Sequence, residues 1–310
     1  MIVAFVAQAY RVLVSAYPVM SKGVFDSSSF SLDFGAYYTA AWRLVHNPAQ
    51  LYTPGTVSGD PLLPAFQPGF KYLPFFTFFT LPLLVLPYVQ ALFAWDAFQY
   101  ILMPVMGLLL YKAMRDFNVL IILGVVWVVL LQPIPFPPHY TLSFYDLYTS
   151  QSYYWQWTEG QAKVFEAFLV VAAYYLSKSR RPYLAGVAYG LAFFDPRFPV
   201  YAIPLFLILN RSQYKKFTLS AVATLLVGDS VLLYDGLIAS FYSNVLVGGV
   251  NTPFYQYTYI PFYTVVALTV VEGADFICRT VLPRMRQNPP AGPPPSPTAQ
   301  ATVHSVGEGP

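Results

Sequence analysis

Apolar runs alternate with prolines, basic turns and aromatic-rich loops along almost the whole chain. Residues 2–20 form the first run; Arg11 interrupts it, no small-residue cleavage site clearly follows, and it reads as a first span or uncleaved signal anchor. Residues 21–72 are polar and turn-rich, a long loop with structure of its own. Within it, Phe34, Tyr37, Tyr38, Ala41 and Val45 fall near i, i+3/i+4, i+7 spacing, which predicts a short amphipathic helix along the membrane surface. Further runs follow at 73–95, 97–113, 119–131, 162–177, 184–194, 200–209, 217–234 and 259–277, with an aromatic loop at 133–159. From Pro289 the tail is Pro-rich and polar, and is expected to be disordered.

Basic residues cluster at Lys112/Arg115, Lys178/Arg180/Arg181, Arg211/Lys215/Lys216 and Arg279/Arg284/Arg286. Placing all four clusters in the cytoplasm makes the order self-consistent from residue 97 onward, with the loops 133–160 and 235–258 outside. The run 184–194 is too short to cross: eleven residues rise only ~17 Å against a hydrocarbon core of ~30 Å. The Asp195–Pro196–Arg197 turn is therefore expected below the outer surface, in a cavity within the membrane. With the N-terminus inside, 73–95 cannot be a single span. Pro74, Pro82 and Pro87 permit a broken, re-entrant helix in the outer leaflet. The opposite topology, with the N-terminus outside and loop 21–72 inside, is the alternative. The expected fold is all-α: a polytopic transmembrane helix bundle of about eight spans, with amphipathic surface helices in a long first extracytoplasmic loop. The expected boundaries are a transmembrane domain over 1–288, its extracytoplasmic loop over 21–96, and a cytoplasmic tail over 289–310. The implied location is the plasma membrane, multi-pass, with both termini cytoplasmic.

Composition sharpens the class. Apolar residues make up 56% of the 310, while charged residues make up only 10%, against about 25% in soluble domains. An ordinary soluble enzyme, a disordered chain and a basic-faced nucleic-acid binder are all excluded. The net charge of +3 is too small to argue for any partner. Cys278 is the single cysteine, so no intramolecular disulfide forms. The three histidines are scattered, and no His/Cys cluster has metal-ligand spacing, so neither metal nor cofactor is expected.

Three stretches carry a further pattern. LDFGAYYTAAWRLVHNPAQLYTP (32–54) places an Asp before a Tyr-rich helix with paired alanines and Leu-Tyr-x-Pro. FKYLPFFTFFTLPLLVLP (70–87) opens with aromatic-Tyr-x-Pro, at Tyr72. Residues 160–209 open on Gly160-Gln161, then carry a basic turn, Ala-Gly, and a basic residue and Pro before another apolar run. In this order the stretches, over roughly residues 1–235, resemble the GT-C membrane glycosyltransferases, specifically glycosyltransferase family 87. The resemblance implies a mannosyltransferase using a polyprenyl-phosphate sugar donor, with a lipid or glycan acceptor on the extracytoplasmic side. It also implies an acidic catalytic base in the first outer loop, which carries over to Asp33. Arg197 stands where the family usually has Lys, Ala162-Lys163 follows Gly160-Gln161 instead of x-Asn, and fewer C-terminal spans follow than in typical members.

The chemistry fits these residue types. A carboxylate within hydrogen-bond reach takes the proton of an acceptor hydroxyl as the new bond forms. A fixed cation stabilises the departing phosphate, and a guanidinium matches its geometry. Asp33 is the candidate base and Arg197 the candidate donor-phosphate ligand, with Tyr37, Tyr38, Tyr72, Gln161, Glu159 and Asp195 as candidate substrate-binding residues. One inverting displacement is implied. Plain readings compete: Asp33 as a helix cap, Arg197 paired with Asp195, the aromatic loop as an interfacial belt, and Lys163 with Glu166 as an i, i+3 pair. A transporter or permease is the competing function, although the broken helices show no convincing inverted repeat. A non-catalytic scaffold or an inactive transferase homologue is the third.

Overall fold

A computed structural model describes residues 32–53, 57, 59–60, 69–131, 160–195, 198–233, 236–247 and 260–283. The first apolar run, the loop 133–159 with Glu159, the pair Pro196-Arg197 and the tail from 289 lie outside the described residues.

Every described element is helical. α1 spans Leu32–His46. Three short turns, Pro74–Phe76, Thr77–Thr80 and Leu81–Val85, lead into α2, Tyr88–Ala113. α3 is Val119–Leu131, α4 Lys163–Lys178 and α5 Pro182–Ala192. A turn at Pro199–Ala202 opens α6, Ile203–Leu209. α7, Tyr214–Gly228, runs on into a tight turn at Asp229–Leu233, and α8 is Leu237–Phe241. α9 covers Ile260–Phe276. Among the described residues, three stretches are long and apolar enough to cross a membrane: Tyr88–Ala113, Tyr214–Leu233 and Pro261–Val281.

The chain forms two compact units, divided after Thr269. In the second, the helical ladder loosens into a π turn at Ile277–Val281, and Arg279 Nε lies 2.6 Å from Asp275 Oδ1.

The run 73–95 divides at Pro87. That residue is extended (ψ 148°) and precedes the first turn of α2, so the helix starts at Tyr88, not near 97. Nothing between Tyr88 and Pro104 breaks it, and its 26 residues rise ~39 Å, more than a bilayer core needs. Residues 88–95 are thus the opening turns of a long helix, and only 74–85 forms the broken segment. α1 also differs from expectation. Phe34 through Ala41 are all buried, whereas Val45, assigned to the same stripe, is 57% exposed. Aromatic neighbours from 72–95 surround the helix: Tyr37 meets Tyr72, Phe76 and Trp95, and Phe34 meets Tyr88.

In the first unit α5 packs between α4 and α7, and α4 packs on α2. The α5–α7 contact depends on Gly186 and Gly190. A Cβ on Gly186 would lie 2.3 Å from the Phe217 carbonyl oxygen, and one on Gly190 2.8 Å from that of Ala221. Small residues four apart let two apolar helices approach this closely without a hydrophobic driving force in lipid.

The basic clusters of the α2–α3, α4–α5 and α6–α7 connections gather at one end of this unit. Lys178 Nζ lies 5.2 Å from the Phe117 ring, Lys216 Nζ lies 5.8 Å from Tyr183, and Asn210 Nδ2 donates to Ser177 Oγ at 2.9 Å. These contacts join the α2–α3, α4–α5 and α6–α7 connections. The Gly160-Gln161 start of α4 and the α5–α6 connection lie at the opposite helix ends.

Candidate functional site

The start of α4 is held by α2. Trp95 Nε1 donates to the Gly160 carbonyl at 3.0 Å, and Gln99 Nε2 donates to that of Gln161 at 2.7 Å. Gln99 Oε1 accepts from the Phe165 N–H at 3.4 Å, so one buried amide serves both sides of the first turn. Gly160 is required twice over. Its φ is +65°, and a Cβ there would sit 2.6 Å from Cβ of Phe34. The chain turns into α4 against the first turn of α1.

That turn contains Asp33, half-buried, one helical step before Tyr37. The Tyr37 hydroxyl donates to Tyr72 Oη at 3.1 Å and receives the Ala162 N–H. Burial, with Tyr72 and Asp33 nearby, pushes the Tyr37 hydroxyl well above its ordinary range, so it stays a donor. Tyr52 donates to the Tyr72 carbonyl at 3.1 Å and fixes the other side of that residue. A hydrogen-bonded bridge therefore runs from α1 through Tyr37 to Tyr72 and to the start of α4.

Beyond Tyr72 lies a charged cluster. Lys163, Glu166 and Asp195 are 3%, 0% and 2% exposed. The Lys163 ammonium donates to Asp195 Oδ2 and lies 3.3 Å from Glu166 Oε2. It also lies 5.6 Å from the Tyr72 ring centroid and 4.9 Å from that of Phe198. When all three groups are ionised they sum to −1. Stacked rings floor the cluster: Phe194 lies 4.5 Å from Phe76 and 5.8 Å from Phe165.

Of the residues singled out in the sequence, Asp33, Tyr37, Tyr72, Gln161 and Asp195 fall around this bridge and cluster. Tyr38 does not. It points away and donates to the Leu86 carbonyl at 2.9 Å, packed on Tyr88. Glu159 and Arg197 lie outside the described residues. Asp195 meets Lys163, a partner that the sequence reading did not assign to it. The Lys163–Glu166 pair has the expected i, i+3 spacing, but the whole pair is buried, and the sequence reading missed Lys163 as part of the site. A lysine in the first turn of an apolar helix, with a glutamine (Gln99) inside the neighbouring span, was the available signal.

Next to the cluster's floor is an apolar cavity of about 440 Å³, lined by Phe75, Phe78, Phe79, Val187, Leu191 and Val227 among others. Phe79 links the two, since its ring lies 4.8 Å from Phe165.

No curated protein and no solved structure matches this chain. The sequence profile of glycosyltransferase family 87 matches residues 70–262, which covers α2 through α8, the start of α4 and the α5–α6 connection. With more than half of its length matched, and with three helices among the described residues long and apolar enough to cross a bilayer, the chain belongs to glycosyltransferase family 87 and is a membrane glycosyltransferase.

Proposed function

We propose that the protein moves a sugar, mannose by resemblance, from a polyprenyl-phosphate donor to a lipid or glycan hydroxyl on the extracytoplasmic side. The observation that carries this reading is the Tyr37–Tyr72 bridge, which links the helix of Asp33 to the cluster flanking Arg197 in sequence. Asp33 takes the acceptor hydroxyl's proton. The acceptor oxygen bonds to the anomeric carbon as the bond from that carbon to the phosphate oxygen breaks, with inversion. Polyprenyl phosphate departs with the bond's electron pair, and Arg197 stabilises its charge. Gln161, Glu159 and Asp195 are proposed to bind sugar hydroxyls, with Tyr37 and Tyr72 beside them. Tyr38, hydrogen-bonded away from the bridge, drops out of this role.

Two observations support a lipid-borne donor. The cavity beside the cluster is almost wholly apolar, which suits a hydrocarbon tail. The basic helix ends lie opposite the cluster, which under the positive-inside tendency supports an extracytoplasmic site. A bundle of about eight spans in the plasma membrane, with cytoplasmic termini, completes the proposal.

The test is transfer from labelled polyprenyl-phosphate mannose by protein reconstituted in liposomes. Asp33→Asn should lower kcat by about 10²–10⁴ while the protein folds and inserts normally. Full activity in that variant sinks the base assignment. Orientation is read from labelling of Lys71→Cys, an exposed position, in a Cys278→Ser background. Modification from the cytoplasmic side alone would overturn the proposed topology.

A further inference from the structure

Two basic turns stand side by side at one end of the first unit. α5 and α7 run in the same direction, with Gly186 against Phe217 and Gly190 against Ala221. Their starting turns are therefore neighbours, and Lys216 Nζ lies 5.8 Å from the Tyr183 ring. Arg180 and Arg181 precede α5, while Lys215 and Lys216 belong to the first turn of α7. All four are exposed, and among the described residues none of them is ion-paired. Asp116, the one carboxylate in the α2–α3, α4–α5 and α6–α7 connections, faces Arg115 at 3.9 Å.

The backbone at Arg180 adds a second observation. The Arg180 N–H donates to the Ser177 carbonyl at 3.0 Å and the Arg181 N–H to that of Leu176 at 2.9 Å, so α4 ends in a left-handed cap. The left-handed position falls on Arg180, at φ +56°, the only non-glycine with positive φ among the described residues. Glycine holds such a position without strain, and a side chain does not. The positive-inside tendency accounts for basic residues at this end of the helices. It does not account for an arginine at the one strained position, where a ligand on the guanidinium would offset the strain.

The surroundings select the ligand. Tyr183 and Tyr214 are exposed beside the four cations, and such rings sit at the level of lipid headgroups. Leu184, Leu219 and Val222 are exposed next along the same two helices. A guanidinium matches phosphate with two hydrogen bonds, and basic pockets between helix ends hold anionic headgroups. A free anion would use the charges and leave the apolar side chains bare, whereas a phospholipid uses both.

We propose that the starts of α5 and α7 form a binding site for an anionic phospholipid. Its headgroup is held by Arg180, Arg181, Lys215 and Lys216, and its acyl chains lie along Leu184, Leu219 and Val222. The test reads the melting temperature of the full chain in neutral detergent as phosphatidylglycerol, phosphatidylcholine or inorganic phosphate is added. Phosphatidylglycerol should raise it by about 5 °C near saturation, and the other two should leave it almost unchanged. The shift should shrink in high salt, because exposed charges are screened. The quadruple variant Arg180→Gln/Arg181→Gln/Lys215→Gln/Lys216→Gln should lose most of the shift, while Lys71→Gln, an exposed lysine outside these turns, should keep it. Arg180→Gly should melt higher than wild type without lipid, since its strain is relieved, and gain less from phosphatidylglycerol. Equal shifts from phosphatidylcholine overturn the site, and so does a quadruple variant with the full shift. Inorganic phosphate that reproduces the shift makes the ligand a free anion and overturns the lipid assignment. Where the quadruple variant does not insert, Arg180→Gly decides alone: an undiminished phosphatidylglycerol shift overturns the proposal.

Discussion

Two buried groups of charges in this protein are built differently. In the first loop, Arg43 and Asp60 form a closed pair with side chains 4% and 0% exposed. Arg43 Nε donates to one Asp60 oxygen at 3.0 Å and a terminal nitrogen donates to the other at 2.6 Å. Its remaining nitrogen serves the Gln50 and Thr53 carbonyls, and the Val57 N–H caps Asp60 at 2.7 Å. Charge balances and the planar fork is filled. The second group, Lys163 with Glu166 and Asp195, places one point charge between two carboxylates and two aromatic rings. Its members come from α4 and the α5–α6 connection instead of one loop. A closed bidentate pair is suited to holding a loop in shape. A point charge shared between two elements is suited to tying the start of α4 to the end of α5.

Breaking each group should give a different signature. Arg43→Met leaves Asp60 buried and unpaired, and should cost about 3 kcal/mol of stability, seen as a lower melting temperature in detergent. The KM values of the protein that remains folded should stay at wild type; a selective rise in donor KM would erase the distinction between the two groups. Gly160→Ala acts at the other group. It forces a left-handed backbone on alanine and drives a Cβ into Phe34, at a cost of about 2 kcal/mol. Because Phe34 adjoins Asp33, transfer should fall more than stability alone accounts for. Wild-type turnover in Gly160→Ala would show that the α1–α4 contact does not shape the site.

A smaller effect separates neighbouring tyrosines. Tyr37→Phe removes the bridge to Tyr72, worth about 1 kcal/mol, and should slow transfer about fivefold. Tyr38→Phe, which loses only the Leu86 contact, should leave kcat unchanged. Equal effects from both would reject the bridge. The smallest effect is in acid. Burial opposes ionisation of Asp60, but the Arg43 hydrogen bonds and the Val57 N–H outweigh it and hold the carboxyl below its ordinary 3.8. Its contribution to stability is therefore complete above pH 3.8, and is lost as pH falls through the lower folded value. Asp60→Asn should lack that acid-dependent component in melting scans, while a melting profile with unchanged pH dependence would deny the pair its role.

The legible parts of the fold were those set by local pattern. The helices at 32–46, 119–131 and 163–178 coincide with runs visible in the sequence because apolar length and spacing specify them directly. The break near 87 was harder to place. Pro74, Pro82 and Pro87 all offer one, and only packing shows that the long helix begins after the third. The same holds at α1, whose stripe looked suited to a membrane surface, whereas its Tyr37 packs on Tyr72, Phe76 and Trp95 of the protein. Gly186 and Gly190 were not singled out in the sequence, because the helix they pack against is a tertiary fact.

By itself, then, the sequence determined membrane class, helical content and the grouping of basic turns, since each follows from composition and from residues near one another in the chain. It also carried the family pattern through Gly160-Gln161 and the Tyr-rich helix. Only the tertiary structure decided that Lys163 meets Asp195, 32 positions away, and that Tyr37 meets Tyr72, 35 positions away. Hydropathy patterns record whether a residue can be buried. Which buried charge finds which partner depends on how helix ends converge, and that is set by close contacts such as Gly160 on Phe34 and Gly186 on α7.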